Sequence, residues 1–186
     1  MGKFLDRFRP DVYVEHIADV DPAGLQARGF EAILLDLDNT LLPWRSSIVP
    51  EECGRWVERA KQLGLKLCIV SNTHNPRRLN TIAADLDISA ISRALKPRSH
   101  GFDRAARTLG CEPGKCVVVG DQLLTDMLGG NLAGMYTILV KPMHTREFIG
   151  TKISRMIEWP ILRHLRKTGR LGTKSVPEKS EIQETR

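Results

Sequence analysis

The sequence lacks any apolar run approaching the roughly 20 residues that a transmembrane helix needs. Its first ten residues mix charged with apolar side chains, so no secretory signal is expected, and Asp6 stands where an N-myristoylation motif requires Ser or Thr. The four cysteines, at positions 53, 68, 111 and 116, form neither a CxxC pair nor a zinc-like spacing. These absences favour a reduced, cytoplasmic setting.

Length and composition are ordinary for one soluble globular domain, with 186 residues, 41% hydrophobic and 27% charged. The net charge of +6 is unevenly distributed. Residues 1–140 carry 17 basic and 17 acidic residues, residues 141–170 carry eight basic and two acidic, and the last sixteen carry three of each. The whole excess therefore lies in the segment 141–170, after the last predicted core strand.

Two acids, Asp36 and Asp38, directly follow the apolar run of residues 32–35. Such a run predicts a strand buried on both faces, where acids are tolerated only at the C-terminal end. Side chains two apart on a strand share a face, and two carboxylates about 4 Å apart repel by roughly 1 to 4 kcal/mol. A Mg²⁺ ion would offset that repulsion. The alternative is a solvated turn or a helix N-cap.

Apolar runs and helical patterns alternate along residues 30–140. Strands are predicted at 32–37, 65–70, 90–91, 116–119 and 135–140, and helices at 51–63, 75–84, 99–109 and about 125–132. This alternation predicts an α/β fold with a parallel sheet. Residues 1–30 show no clear regular structure beyond a short helix after Asp21.

Four successive strand ends carry polar residues suited to phosphoryl transfer. In order they are the two acids, then Ser71-Asn72-Thr73, then Lys96-Pro97, then Gly120-Asp121 with Asp126 five residues on. Each alone is explained as a helix cap or a surface charge. Together they supply a nucleophile, a proton donor, hydrogen-bond donors, a cation and a metal ligand.

These motifs, D-L-D-N-T (36–40), S-N-T (71–73), K-P (96–97) and G-D-Q-L-L-T-D (120–126), resemble those of the haloacid dehalogenase (HAD) superfamily of phosphohydrolases. The last motif is similar to the IIIA-type subclass. Length, the leading arm and the basic tail resemble the YqeG group, relatives of the mitochondrial phosphatidylglycerophosphate phosphatase. The resemblance implies a Rossmann-like HAD core over about residues 31–140.

The resemblance also implies catalytic roles. Asp36 would be the nucleophile that forms an aspartyl-phosphate, and Asp38 would protonate the leaving alkoxide and later deprotonate water. Lys96 would neutralise charge between nucleophile and phosphate.

The same resemblance implies the binding residues. Mg²⁺ would be held by Asp36, the Asp38 backbone carbonyl and Asp121, with Asp126 supporting through water or a hydrogen bond. Thr40 would orient the aspartate pair. Phosphoryl oxygens would be bound by Ser71 and the Asn72 amide.

The gaps between motifs are too short for the cap domain that HAD enzymes acting on small metabolites usually carry. Residues 40–71 hold little beyond one helix, and 73–96 hold a helix and a strand only. The core is therefore predicted to be capless, with an open mouth. That suits a phosphate ester presented by a lipid headgroup, a nucleic-acid end or a protein, unless another subunit of an oligomer covers the site.

The basic segment 141–170 has apolar residues at helical spacing, namely Ile149, Ile153, Met156, Ile157, Ile161 and Leu165. A basic amphipathic helix beside Trp159 fits binding to an anionic membrane surface. A helix packed on the sheet is the alternative. RNA is disfavoured because aromatics other than Trp159 are not interleaved with the charges. Residues 171–186 are expected to be disordered.

The combined prediction is a Mg²⁺-dependent phosphomonoesterase acting on phosphatidylglycerophosphate, peripheral at the inner face of the membrane. The alternatives are a phosphatase for a soluble ester with a lid from another subunit, or a nucleic-acid or ribosome-associated assembly factor with a vestigial site. His74 and His100 are expected at the rim of the site. Surface solubility is the expected role of Arg77, Arg78 and Arg98, with substrate contact as the alternative.

Overall fold

The computed structural model describes residues 5–143, 158, 160–165 and 168–169. Six strands form one parallel sheet in the order β1-β6-β5-β2-β3-β4. Their bounds are β1 Val12–Val14, β2 Ala32–Leu35, β3 Lys66–Val70, β4 Ser89–Ile91, β5 Cys116–Gly120 and β6 Tyr136–Val140. The predicted parallel α/β fold is confirmed, with strand bounds shifted by one or two residues.

Helices cover both faces of this sheet. They are α1 Pro22–Ala27, α2 Glu51–Gln62, α3 Pro76–Asp85, α4 His100–Leu109 and α5 Leu128–Leu132. Residues such as Val57 of α2 and Leu79 of α3 belong to the hydrophobic cluster on one face, and Phe102 of α4 belongs to the cluster on the other. The central strand β2 is buried at all four positions because both clusters press on it. A sheet buried on both faces accepts acids only at the C-terminal ends of its strands, and the site is therefore expected there.

The first thirty residues contribute an edge strand to the sheet. Val12, Tyr13 and Val14 pair in parallel with residues 138–140 of β6, and Val12 and Val14 are buried in the core. Three residues are too few to show the alternation that predicts a strand from sequence. This strand is stabilised by its pairing with β6. The division of the chain into arm, core, basic segment and tail stays a prediction.

The segment predicted as a helix from about residue 125 begins instead with a π-helical turn, Leu123–Met127, which leads into α5. The Met127 N–H bonds to the Gln122 carbonyl five residues back. Such single turns insert an extra residue per turn and are frequent at functional sites. Here the turn carries Asp126.

No cap domain lies between the motifs, since residues 40–96 are all described and contain only α2, β3, α3 and β4. The capless prediction is confirmed. Within the described part of the chain, no helix has the length and apolar character needed to cross a bilayer.

Part of the basic segment packs on the core. Residues 160–165 are helical, Leu165 is fully buried, and Ile161 packs against the same cluster as Phe102. Glu158 is buried, and its carboxylate accepts a hydrogen bond from the Leu124 N–H at 3.1 Å. Two of the apolar positions proposed for a membrane face therefore point to the protein. Most of the segment and all of residues 171–186 lie outside the described residues.

Candidate active site

The ends of β2 and β5 bring the first and last motifs together. The Asp36 N–H donates to the Val119 carbonyl at 2.9 Å, which continues the pairing of these neighbouring strands. Asp121 directly follows β5. Open parallel sheets bind ligands at the C-terminal ends of their strands, and Asp36 and Asp121 lie there on neighbouring strands.

Three carboxylates form a buried acid cluster at this edge. Oxygen atoms of Asp36, Asp121 and Asp126 lie within 4.8 Å of one another. The three residues are 8%, 2% and 1% exposed, so water screens their charges poorly. The Asp38 carboxylate is outside this cluster, and a metal contact through its backbone carbonyl stays a prediction.

Lys96 joins the cluster as its cation. Its Nζ lies 2.5 Å from Asp36 Oδ1 and 2.6 Å from Asp126 Oδ1, and the residue is only 7% exposed. The Asn72 side chain fixes the Lys96 backbone, because its Oδ1 accepts from the Lys96 N–H at 2.8 Å and its Nδ2 donates to the Lys96 carbonyl at 3.1 Å. The third motif is thereby clamped to the second.

Burial dominates the protonation of the nucleophile candidate. Loss of hydration raises the pKa of Asp36 to about 7, an effect that the nearby Lys96 ammonium opposes and the Asp126 carboxylate reinforces. Burial by itself would lower the pKa of Lys96, but the carboxylates of Asp126 and Asp36 raise it above the usual value. Lys96 is therefore a fixed cation at any ordinary pH.

The charge of this group suits a divalent cation. Three carboxylates and one ammonium leave a formal charge of −2, concentrated in residues that are nine-tenths buried. Leaving such charge unbalanced is strongly unfavourable, and three carboxylates are the hard oxygen donors that Mg²⁺ prefers. The donor set thus fits Mg²⁺. We call Asp36, Lys96, Asp121 and Asp126 the inner wall of the site.

The position of Asp126 depends on the local backbone. The π-helical turn directs its carboxylate back to the end of β5, where Oδ2 accepts from the Gln122 N–H at 3.2 Å. A Cβ added to Gly120 would overlap the Asp126 carboxylate, so only glycine fits there. Sequence analysis gave Asp126 a supporting role, whereas its carboxylate reaches the cluster directly.

Asp38 turns away from the cluster and pairs with an arginine. Arg78 Nη1 and Nη2 lie 3.0 and 2.8 Å from the two Asp38 oxygens, and the Arg45 N–H donates to Oδ1 at 2.9 Å. Arg78 also donates from Nε to the Ser46 carbonyl at 2.9 Å. The expectation of a surface charge was wrong for Arg78, because it anchors Asp38 to the loop 43–50. We call Asp38, Arg78 and this loop the outer wall.

A cavity of about 690 Å³, which we call the catalytic cavity, is lined by Asp36 and Lys96 of the inner wall and by residues of the outer wall. Asp121 and Asp126 lie behind this surface and do not line it. The predicted catalytic and binding residues that line it are Asp36, Asp38, Ser71, Asn72 and Lys96. His74 lines it as expected, and His100 does not. Buried Ser71 accepts a hydrogen bond at Oγ from the Thr73 N–H at 3.1 Å, which leaves its own proton to donate into the cavity.

Thr40 does not line the cavity. It is buried, and its hydroxyl has no hydrogen-bond partner among the residues that the structure describes. Its expected role of orienting the aspartates stays a prediction.

Sequence reasoning found Asp38 but missed its surroundings in the outer wall. Trp44 and Arg45 line the cavity, with the Arg45 guanidinium 4.4 Å above the Trp44 ring. Asp38 and Arg78 are 40 residues apart in the sequence, and no local sequence pattern predicts their ion pair. The only available signal was the position of Arg78 in the helix after the second motif.

Comparison with known proteins shows the family of this chain. The HAD-hydrolase-like family model matches residues 94–147. The probable phosphatase YqeG of Bacillus subtilis is 40% identical over 164 residues, which cover 88% of this chain and 95% of the relative. Phosphatidylglycerophosphate phosphatase 1 of Arabidopsis thaliana is 26% identical over 85% of this chain and 48% of its own length, so the chain spans about half of that relative.

A solved structure shares the fold. That of an uncharacterised protein from Listeria monocytogenes serotype 4b aligns with a TM-score of 0.53 at 16% identity, over 83% of this chain and 96% of that one. Such a likeness concerns the fold alone, and the family follows from the Bacillus subtilis relative. The chain belongs to the YqeG family of HAD-type phosphatases.

Proposed function

We propose that this phosphatase hydrolyses phosphatidylglycerophosphate with the help of Mg²⁺, through a phosphorylated Asp36. The observation that carries the proposal is that Asp36 and Lys96 line an uncapped cavity while Asp36 also belongs to the buried acid cluster with Asp121 and Asp126. The catalytic roles of individual residues below are parts of the same proposal.

In the first step, an Asp36 carboxylate oxygen attacks the phosphorus of the ester. The bond between phosphorus and the alcohol oxygen breaks, and Asp38 gives its proton to that oxygen. Lys96 and the Ser71 hydroxyl stabilise the charge on the phosphoryl oxygens. Arg78 and the Arg45 N–H fix the orientation of Asp38, which lines the same cavity as Asp36.

In the second step, Asp38 takes a proton from water as the water oxygen attacks the phosphorus. The bond from phosphorus to Asp36 breaks, which releases inorganic phosphate and restores the carboxylate. Mg²⁺, held by Asp36, Asp121 and Asp126 with the Asp38 carbonyl, would supply neutralisation of the phosphoryl charge. Because Asp38 has regained its proton, the enzyme is ready for another turnover.

A lipid substrate is supported by the surface around the cavity. The described residues include three large, well-exposed apolar side chains, and two of them, Ile48 and Leu95, are 79% and 57% exposed. Ile48 lies on the loop of the outer wall, and Leu95 directly precedes Lys96. Apolar side chains beside an uncapped opening suit a headgroup presented at a membrane surface. The plant relative named for this activity supports the same substrate.

The basic segment 141–170 is proposed to hold the enzyme at the anionic inner face of the membrane. Its contact would be electrostatic, because Ile161 and Leu165 pack on the core. Each basic residue near an anionic leaflet contributes about 1 kcal/mol. Replacing Lys152, Arg155, Arg163, Arg166 and Lys167 by Gln should reduce hydrolysis of lipid in vesicles far more than that of p-nitrophenyl phosphate. Equal losses would show a structural role.

The substrate is tested with purified protein and Mg²⁺. We expect kcat/KM for phosphatidylglycerophosphate in anionic vesicles to exceed that for phosphatidic acid, glycerol 3-phosphate and p-nitrophenyl phosphate by about 100-fold, or roughly 2.7 kcal/mol. Asp36→Asn protein prepared in parallel controls for contaminating phosphatases. A soluble ester hydrolysed as efficiently as the lipid would contradict the proposed substrate, and activity unaffected by chelation would contradict the metal.

A further inference from the structure

A second cavity of about 710 Å³ opens beside the catalytic cavity. We call it the side pocket. Its own lining comprises Arg93, Leu95, Pro97 and Arg98, and it shares Asn72, His74 and Lys96 with the catalytic cavity. Because three residues belong to both cavities, a group bound in the side pocket would lie next to a phosphate on Asp36.

The side pocket is electrostatically unlike the catalytic cavity. Its lining contains no acid, and the side chains of Arg93 and Arg98 have no ion-pair or hydrogen-bond partner among the described residues. The charge of Lys96, by contrast, is balanced by two carboxylates. Within the described ranges these two guanidinium groups are not balanced by a carboxylate, and they present forked donors that match the oxygens of a phosphate.

The loop that carries these arginines is held in a specific shape. Arg93 and Leu95 have φ values of 48° and 58°, a left-handed conformation that is unfavourable for residues with a side chain. The Asn72 clamp on the Lys96 backbone holds the end of this stretch in place. Non-glycine residues kept in this region cluster at ligand sites, where the surrounding structure compensates for the strain.

We propose that the side pocket binds a second phosphate of the substrate, namely a phosphodiester joined to the scissile phosphomonoester by a short alcohol spacer. This inference rests on the proposed function, since phosphatidylglycerophosphate carries those two groups at opposite ends of one glycerol. The monoester would lie over Asp36 and the diester beside Arg93 and Arg98. Exposed Leu95 would then face the lipid.

The test compares substrates that differ in the second phosphate and in the lipid. The deacylated headgroup, glycerophosphoglycerophosphate, has both phosphates and no acyl chains, and glycerol 3-phosphate has the monoester alone. The variant is Arg93→Gln with Arg98→Gln. The matched control is Arg59→Gln with Arg107→Gln, which removes the same charge from exposed positions on α2 and α4.

We expect the ratio of kcat/KM for the headgroup to that for glycerol 3-phosphate to fall about 10-fold or more in the side-pocket variant, through KM. The ratio should stay within about 2-fold in the control variant. An unchanged ratio would overturn the proposal, whether neither substrate is affected or both lose equally. A loss seen with the lipid but not with its headgroup would also overturn it, and would assign the arginines to the membrane surface.

A separate inhibition measurement tests the side pocket even if the proposed substrate is wrong. If the wild type prefers neither lipid nor headgroup over glycerol 3-phosphate, the proposed function is wrong, and the side pocket is then tested by inhibition of p-nitrophenyl phosphate hydrolysis. The probes are 1,3-propanediol bisphosphate and propyl phosphate. A bisphosphate that inhibits about 10-fold more tightly, with the advantage lost in the side-pocket variant, supports the second phosphate site, and equal inhibition constants overturn it.

Discussion

The inner and outer walls of the site each pair an aspartate with a cation, but the two pairs differ in burial and in charge balance. On the inner wall, Asp36 and Lys96 are nine-tenths buried and belong to a group whose formal charge is −2. On the outer wall, the side chains of Asp38 and Arg78 are 26% and 14% exposed and balance each other. The inner wall is therefore incomplete without a cation, whereas the outer wall is a complete pair that positions one carboxylate.

The largest expected effect comes from the inner wall. Asp36→Asn should lower kcat by about 1,000-fold or more, since the nucleophile is lost. Steady-state hydrolysis of p-nitrophenyl phosphate measures this change. Asp85→Asn, at an exposed position of α3, is the control and should retain activity. Substantial turnover by Asp36→Asn would remove the covalent route.

The metal requirement should follow the acid cluster. Asp121→Asn leaves the inner wall with a formal charge of −1, so we expect Mg²⁺ affinity to fall by about 10-fold or more. Binding of Mg²⁺ to the folded state raises the melting temperature, and the concentration dependence of that rise reports affinity without activity. If Asp121→Asn and wild type respond equally to Mg²⁺, the cluster is not the metal site.

The outer wall should have a smaller and more selective effect. Arg78→Met frees Asp38 from its bidentate partner, so the loss should depend on how much the leaving group needs a proton. We expect kcat/KM to fall about 10-fold for alkyl phosphates and less for p-nitrophenyl phosphate, whose phenolate leaves unprotonated. Arg77→Met, at an exposed neighbouring position, is the control. Equal losses on both substrates would contradict a role in positioning Asp38.

The smallest expected effect is on stability without metal. The pKa of Asp36 is about 7 in the folded protein against 3.8 as its ordinary value, so between these values the folded state keeps a proton that the unfolded state has lost. The free energy of unfolding in chelator should therefore fall as pH rises from about 4 to about 7. Urea unfolding at several pH values measures this, and Asp36→Asn should flatten the trend. A rise in stability over that range would contradict the buried carboxylate.

The inner wall was largely predictable from sequence, whereas of the outer wall only Asp38 was predicted. Parallel strands end at one edge, so the polar residues after each apolar run had to converge, which is why Asp36, Lys96 and Asp121 were found. Asp126 was also named for the metal site, but the π-helical turn that carries it was not predicted, because a single such turn has no periodic signature. The Arg78 pair depends on the path of the loop 43–50, which no pattern encodes.

Elements stabilised by distant partners were also missed. Strand β1 exists because β6 offers it an edge, and its three residues carry no pattern of their own. In the basic segment, helical spacing of Ile161 and Leu165 was equally compatible with a membrane and with the core. Ile161 packs against the cluster that contains Phe102, and Leu165 is buried, so these two positions face the core. Periodicity shows which face is apolar and not what covers it.

The central claim, that Asp36 is transiently phosphorylated, is tested most directly by chemical trapping. Borohydride reduces an aspartyl-phosphate to homoserine, so enzyme quenched during turnover and reduced should carry homoserine at position 36 when its peptides are analysed by mass spectrometry. We predict this conversion at Asp36, dependent on substrate and absent without it. Full turnover with position 36 unmodified, or homoserine at Asp38 instead, would contradict the account.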